Sequence, residues 1–570
     1  NAHVSDYKLR KQMKTKGRTL ISFLDKSGRL DEAQLQQDVD AIREYYQNQG
    51  YVDAEVQPVR RERINNRLML VIPIVEGQRY RVGKISIKGS KAAPAEKVRQ
   101  LVTMKEGDLY SPKAIRDDAK RIADAYGSGG YVDLNVQPRG TPSGAGKIDL
   151  LFNIEEGSKS FVQRINIVGN TRTKDKVIRR EILIAPGDIY STTRVETSKK
   201  RLDNLGYFSR VETFPEETGV AGRKDLTVQV EEKRTGSLNF GAGFSTIDNV
   251  IGFVELTQGN FDLMNWPTFT GAGQKFRARI QFGSQRKDVV VGLTEPYFLD
   301  RPISLGGEAF YREANFLSTL YDQRNFGFSI TVRKPITRFL YASFEYRLED
   351  IDIYNVATNA SSLLQIEGGS RTKSVITPSL VYDSRDNPFL SHKGQRFVFT
   401  PYVAGGFLGG NTQTYGFDLE GSQYFHLPYD FIFLINGEIQ GVDTWGNGDR
   451  VPIFDRLFLG GANSLRGFAF RDVAPRDVKG EPIGGRSMAR ATAELTFPIV
   501  EKVRGAVFYD TGLVNAGAFD YNFDNIASDT GIGLRLDLPI GPIRIDYGIP
   551  LQKAGTRGGG RFNFNVGYQF

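Results

Sequence analysis

Beyond Gly236 the chain reads as one short alternating segment after another, with turn residues between them. The last, "RFNFNVGYQF" (561–570), sets Phe562, Phe564, Val566, Tyr568 and Phe570 against Arg561, Asn563, Asn565, Gly567 and Gln569. A two-residue period is that of a β-strand whose faces meet different surroundings. "SLNFGAGFS" (237–245) puts Leu238, Phe240, Ala242 and Phe244 on one face. "YGFDLEGSQYF" (415–425) opposes Tyr415, Phe417, Leu419 and Phe425 to Asp418, Glu420 and Ser422. In "TGIGLRLDLP" (530–539) Ile532, Leu534, Leu536 and Leu538 face away from Arg535 and Asp537. "PIRIDYG" (542–548) alternates Ile543, Ile545 and Tyr547 with Arg544 and Asp546. A soluble sandwich also alternates, but has no use for so many aromatics opposite so charged a face. Apolar outside and polar inside is the pattern of a membrane β-barrel, in which closure pairs every backbone group. There are about sixteen such segments, predicting about 16 antiparallel strands with both ends on one side of the bilayer.

Composition divides the chain at the same place. Only 15 of its 65 aromatic residues precede residue 236, and both tryptophans, Trp266 and Trp445, follow it. The absence of cysteine excludes disulfides, zinc–thiolate sites and thiol nucleophiles. His3, His392 and His426 are too scattered to suggest a metal cluster. A net charge of +9 over 570 residues does not call for nucleic acid. The longest apolar run, "LMLVIPIV" (68–75), falls far short of the roughly 20 residues of a membrane helix. With no phosphate-binding loop and no serine–histidine constellation, neither an enzyme nor a cofactor is expected. No secretory leader opens the chain at Asn1, which predicts a processed or trimmed N-terminus.

Residues 1–235 repeat with a period of about 80. "ISIKGS" (85–90) returns as "INIVGN" (165–170), and "EGDLY" (106–110) as "PGDIY" (186–190). "GYVDAEVQP" (50–58) returns as "GYVDLNVQP" (130–138) and more loosely as "GYFSRVETFP" (206–215). Each unit predicts strand, helix, helix, strand, strand. In "SPKAIRDDAKRIADAYGSGGY", Ser111 is the expected cap, Pro112 the first helical residue, and Ile115, Ala119, Ile122 and Tyr126 the buried face. The first unit has the matching helix, Asp31 to Asn48, but no opening "IxIxG" strand, and is expected to be incomplete. The strand after each "GY", carrying Val56, Val136 or Val211, is expected at a sheet edge, with Pro58, Pro138 or Pro215 at its end. Those prolines either merely block aggregation or mark an edge open to strand addition. Boundaries at 1–78, 79–158, 159–235 and 236–570 follow.

One barrel connection, about 445–485, is anomalously long and apolar, with Phe454, Leu457, Phe458, Leu459, Leu465, Phe468 and Phe470. It is expected to fold back inward. At its centre, "FLGGANSLRGF" (458–468) resembles the VRGF-type lid motif of the BamA family of bacterial outer-membrane assembly factors, with Leu465 where valine is usual. "TGSLNFGAGFS", "TEPYF" (294–298), "DSRDNPFLSHKG" (383–394), "VFYDTG" (507–512) and "FNFNVGYQF" fall where that family has its barrel motifs, and the repeats resemble POTRA domains. "MKTKGRTLISFLDKSGRLD" resembles a connection in the third of five such domains, so the units here correspond to the last three.

The resemblance implies a lid of Leu465, Arg466, Gly467 and Phe468 whose arginine reaches Glu494 and Asp510 in the lumen. Alternation independently turns Glu494 and Asp510 inward, and Phe508 with them. These charges either hold the loop and barrel together or serve a moving lid. The first strand (Leu238, Asn239, Phe240, Gly241, Ala242, Gly243, Phe244) must close on the last (Phe562, Phe564, Val566, Gly567, Tyr568, Phe570), and its glycines predict a weak seam. The implied function is folding and insertion of β-barrel proteins into the bacterial outer membrane, by strand capture at the POTRA repeats and opening of this seam, a lateral gate. The implied partners are unfolded outer-membrane β-barrel clients, accessory assembly lipoproteins at the POTRA domains, periplasmic chaperones and the lipid bilayer, with the repeats in the periplasm. The alternatives are a polypeptide-secreting pore of the same superfamily and a passive porin.

Overall fold

The computed structural model describes residues 3–566 apart from 19–27, 65–66, 145, 246–248, 316, 388–390, 501, 539–540 and 554–558. It comprises two compact units, Asn1–Lys233 and Arg234–Phe570.

The second and third repeats share one plan. An opening strand (Arg81–Lys88; Phe161–Val168) leads to a short helix (Ala95–Leu101; Asp175–Arg179) and a long one (Pro112–Ser128; Thr192–Leu205). A hairpin follows (Asn135–Gly144 with Lys147–Glu155; Phe208–Glu217 with Arg223–Glu232). The final strand lies in the middle, parallel to the opening strand and antiparallel to the strand after "GY", which is therefore at an edge. In the first repeat Glu55–Val56 pairs with Ile74–Val75, Arg60–Ile64 with Arg67–Val71, and helices Asp6–Gln12 and Glu32–Asn48 pack over its core. Pro138 and Pro215 lie inside their strands, opposite Phe152 and Leu226, rather than at the ends. The strands run on past them because an edge position needs no donor on its open side. Val56 and Val211 are buried in their domain cores and Val136 packs against its own, so these strands present backbone, not these side chains, to the outside.

The period reflects recurring physical devices. Asp31, Ser111 and Ser191 cap the long helices, accepting from the amides of Gln34, Ala114 and Arg194. Seven residues further on, Asp38, Asp118 and Ser198 bind the incoming connector, accepting from Lys14 N (2.8 Å), Thr103 N (2.9 Å) and Leu183 N (2.8 Å). The glycine ending each complete opening strand is dictated by space and backbone: at Gly89 and Gly169 φ is +86° and +91°, and a Cβ would stand 2.0 Å from the carbonyl of Ile154 or Val230. A glutamate at the end of each unit then clasps its beginning. Glu76 takes His3 Nδ1 (2.7 Å), Glu156 the amides of Lys91 (2.6 Å) and Ala92 (2.8 Å), and Glu232 those of Arg172 (3.0 Å) and Thr173 (2.7 Å).

From Gly236–Ser245 to Arg561–Val566, sixteen strands among the described residues each pair antiparallel with the next, and the first meets the last to close a barrel. Leu238, Phe240, Ile532 and Tyr547 are exposed on the outer wall, whereas Arg535, Glu494, Asp510 and Asp546 meet in ion pairs inside. Residues 445–486 fold into the barrel end. Val451, Ile453, Leu459, Leu465, Phe468 and Val473 are buried, while Phe470 stays 38% exposed.

The Glu232 clasp is testable. Burial alone would raise its carboxyl, but hydrogen bonds from Thr173, Thr171 and Arg172 outweigh that and bring it from 4.5 down to about 2. A depressed carboxyl stabilises above its ordinary value and loses that contribution as pH falls through the folded value. Glu232→Gln should cost about 2 kcal/mol at neutral pH. Urea unfolding of the detergent-solubilised chain, followed by helical circular dichroism, should show the gap between native and variant closing as pH drops from 4.5 towards about 2.

Candidate functional site

The "SLRGF" segment is a tight turn. Gly461 N donates to the carbonyls of Leu465 (3.1 Å) and Phe468 (3.1 Å), Phe468 N to Leu465 O (3.2 Å), and Gly460 N to Ser464 Oγ (2.9 Å). Gly460 and Gly461 hold φ of +111° and +98°, which ordinary side chains disfavour. Leu465 and Phe468 drop into an apolar cluster with Leu459 and Val473 of the loop and Met488, Val514 and Ala527 of the wall. With those two side chains anchored, Arg466 points the other way, into the wall.

Arg466 is 2% exposed. Its Nε and Nη2 bind Asp510 at 2.7 and 2.8 Å, the two-pronged geometry that matches a guanidinium to a carboxylate, and Nη1 binds Glu494 at 2.5 Å. Its Cζ lies 3.4 Å from the centre of the Phe508 ring. The inward phenylalanine that interrupts the alternation is therefore the platform on which the guanidinium rests.

A second layer encloses the first. Arg535 spans Glu494 (3.0 Å) and Asp546 (2.7 Å), Arg544 binds Asp546 (2.6 Å), and Asp546 lies 3.8 Å from Arg466 Nη1. Alternation had turned Arg535, Arg544 and Asp546 inward without joining them to the lid; the "RLD" and "RID" charge patterns were the available signal. Asn563 Nδ2, on the last strand, donates to the Arg466 carbonyl (2.8 Å). The turn therefore touches the strand that closes the barrel. Two glycines allow this approach: a Cβ on Gly467 would be 2.6 Å from Asp529 Cβ, and one on Gly548 would be 2.6 Å from Gly467 N. Asp529 is fully buried in register with Asp510, so two carboxylates stand side by side in the wall. Three guanidiniums thus stand among four carboxylates.

The seam lies beside this cluster. The first strand pairs with the second from Gly236 to Ser245, and it meets the last strand at Phe244↔Val566 and Ser245↔Asn565. The Phe244 and Phe564 rings are 5.8 Å apart, and Leu238, Phe240 and Phe562 are exposed. Gly567, Tyr568 and Phe570 lie outside the described residues. On the first strand, the space beside Gly241 is filled by the ring of Phe253, its register partner, 2.7 Å from where a Cβ would stand. Asn239, Ala242 and Gly243 face Glu255, Gly252 and Ile251 on the second strand. Among the described residues no group of acidic, histidine or cysteine side chains has the makings of a metal site.

A sixteen-stranded barrel, filled at one end by its own loop and preceded by α+β repeats, is a membrane-spanning protein of the outer-membrane type. The family model described as "Omp85 superfamily domain" matches residues 268–570, and the POTRA model, "Surface antigen variable number repeat", matches 1–77, 80–157 and 160–233. The chain belongs to the Omp85 superfamily. It is 28% identical over 567 residues to "Outer membrane protein assembly factor BamA" of Nitratidesulfovibrio vulgaris, covering 97% of this chain and 70% of the relative. It is 27% identical to the protein of that name in Neisseria meningitidis serogroup B (100% and 77% covered). Identity is 25% to "Sorting and assembly machinery component 50 homolog A" of Xenopus laevis (70% and 84%). The crystal structure of BamA from Haemophilus ducreyi lacking POTRA domains 1–3 superposes with a TM-score of 0.71 at 22% identity, over 85% of this chain and 99% of that one, and shows the same fold.

Removing Arg466 leaves Asp510 and Glu494 buried with less compensation, so Arg466→Ala should cost about 3 kcal/mol. Removing the like charge beside Asp510 with Asp529→Asn should instead stabilise by about 1 kcal/mol. The temperature at which the unboiled protein loses its compact gel mobility should fall in the first variant and rise in the second.

Proposed function

We propose that this chain catalyses the folding and insertion of β-barrel proteins into the bacterial outer membrane, working from the periplasmic side through its repeats. The observation that carries the reading is the architecture: a sixteen-stranded barrel preceded by POTRA repeats, whose glycine-bearing first strand closes on the last. An edge at membrane depth is costly unless another strand occupies it, so a seam that parts is a template for a client strand. The proposal is one of template rather than enzyme. A client gains its free energy by burying apolar surface and pairing its backbone, and the seam lowers the kinetic barrier.

The relatives bearing the name of assembly factor support this reading. The edge strands Asn135–Gly144 and Phe208–Glu217 are the surfaces for extended client segments and for accessory lipoproteins, since each has a backbone side without a partner in its sheet. Periplasmic chaperones would deliver those segments. The Arg466 cluster holds the lid against the strands next to the seam, so the lid braces the wall from which the last strand departs.

The chain has no cysteine, so a pair introduced at the register partners Ser245→Cys and Asn565→Cys is chemically isolated. Oxidation should abolish insertion of an unfolded porin into liposomes, and reductant should restore it. Full activity of the oxidised protein would rule out seam opening.

A further inference from the structure

The connection between the second barrel strand (Asn249–Phe261) and the third (Gln274–Gly283) presents an unusual surface. In "DLMNWPTFTGAG" (262–273), Met264 is 87% exposed, Trp266 78% and Leu263 53%. Its one ionisable residue, Asp262, is buried, so residues 263–273 carry no charged side chain.

The segment is tightly cross-braced. Asp262 N donates to Phe269 O (3.0 Å), Asn265 N to Asp262 O (3.2 Å), Phe269 N to Asn265 O (2.6 Å) and Gly271 N to Asn260 O (2.9 Å). Side chains add Asn265 Nδ2 to Thr270 O (2.7 Å), while Gln274 Oε1 accepts from Leu263 N (3.0 Å) and Asn260 Oδ1 from Gly273 N (2.8 Å). A turn so fixed cannot fold Met264 and Trp266 away from solvent. Their exposure is built in.

The exposed surface is also continuous with the lipid-facing wall. Leu238 and Phe240 pair with Leu256 and Val254, and these with Ala278 and Ile280, so one outer face crosses three strands. Phe276, two residues before Ala278, lies on that face. From it a chain of rings leads outward: Phe276 to Phe261 (5.1 Å), Phe261 to Phe269 (5.6 Å) and Phe269 to Trp266 (5.2 Å). The next turn at the same barrel rim adds Phe298 and Leu299, the latter 75% exposed.

We propose that this turn is an interfacial anchor, seating Trp266 and Met264 in the headgroup–acyl boundary of the bilayer that the barrel spans. An indole is apolar over most of its surface with one N–H donor, and it prefers that boundary to either hydrocarbon or water. The occupant is phospholipid rather than a protein: the ring ladder extends the wall already in lipid, and a turn without charged side chains over 263–273 fits a zwitterionic leaflet. Because the second strand pairs along all of the first, the anchor fixes the depth of the barrel beside the seam. The inference needs no client and stands whether or not insertion is the function.

The chain's two tryptophans make the test direct. Trp445→Phe leaves Trp266 as the sole indole; should that variant not fold, the difference spectrum between the native chain and Trp266→Phe reports the same residue. In phosphatidylcholine vesicles the Trp266 emission should shift to the blue. Most of it should be lost when the acyl chains are brominated near the headgroup, and little to aqueous acrylamide. Unshifted emission, open to acrylamide and indifferent to bromine, would overturn the proposal. So would protection that appears only when membrane proteins are added, which would make the turn a protein-docking surface.

Discussion

Hydrocarbon does not tolerate an unpaired backbone amide, and this constraint governs the second unit. Fifteen successive strand pairings satisfy it along the wall, and a sixteenth, between the first strand and the last, closes the barrel. The composition of the first strand follows. Gly241 weakens it, and the Phe253 ring of the second strand covers the gap.

The loop works through a second constraint, the cost of burying charge. A guanidinium 2% exposed is tolerable only when its donors are met, and Asp510, Glu494 and the Phe508 face meet them together. Arg535 and Arg544 then balance the carboxylates that Arg466 alone leaves over. Because the cluster draws on strands Ser487–Val500, Val503–Asn515, Ala527–Leu538 and Gly541–Lys553, with Asn563 of the last on the Arg466 carbonyl, Arg466 and its partners tie the loop to the wall leading into the seam.

Much of this was legible in the sequence because period and face are local properties. Alternation gave the in-and-out assignment of Arg535, Asp546 and Ile532, and the repeat gave the first unit's helix from Asp31 to Asn48, where Asp31 turns out to be the cap. Adjacency across strands was not legible. A two-residue period says that Glu494 and Arg535 both face inward, but their 41-residue separation says nothing of their meeting. Phe508 was visible as a break in the pattern, and its purpose needed the position of Arg466. The prolines were misplaced along their strands because proline marks an edge without marking where that edge ends. The anchor turn has no period to read, since alternation has nothing to say about a segment that does not alternate.

The glutamates at 76, 156 and 232 close each repeat upon its own beginning. A unit that buckles itself shut does not depend on what precedes or follows it in the chain for that closure. A duplicated repeat would thus bring its own fastening with it, while its neighbours are met through separate bonds such as Ser111 Oγ to Asn48 (2.9 Å).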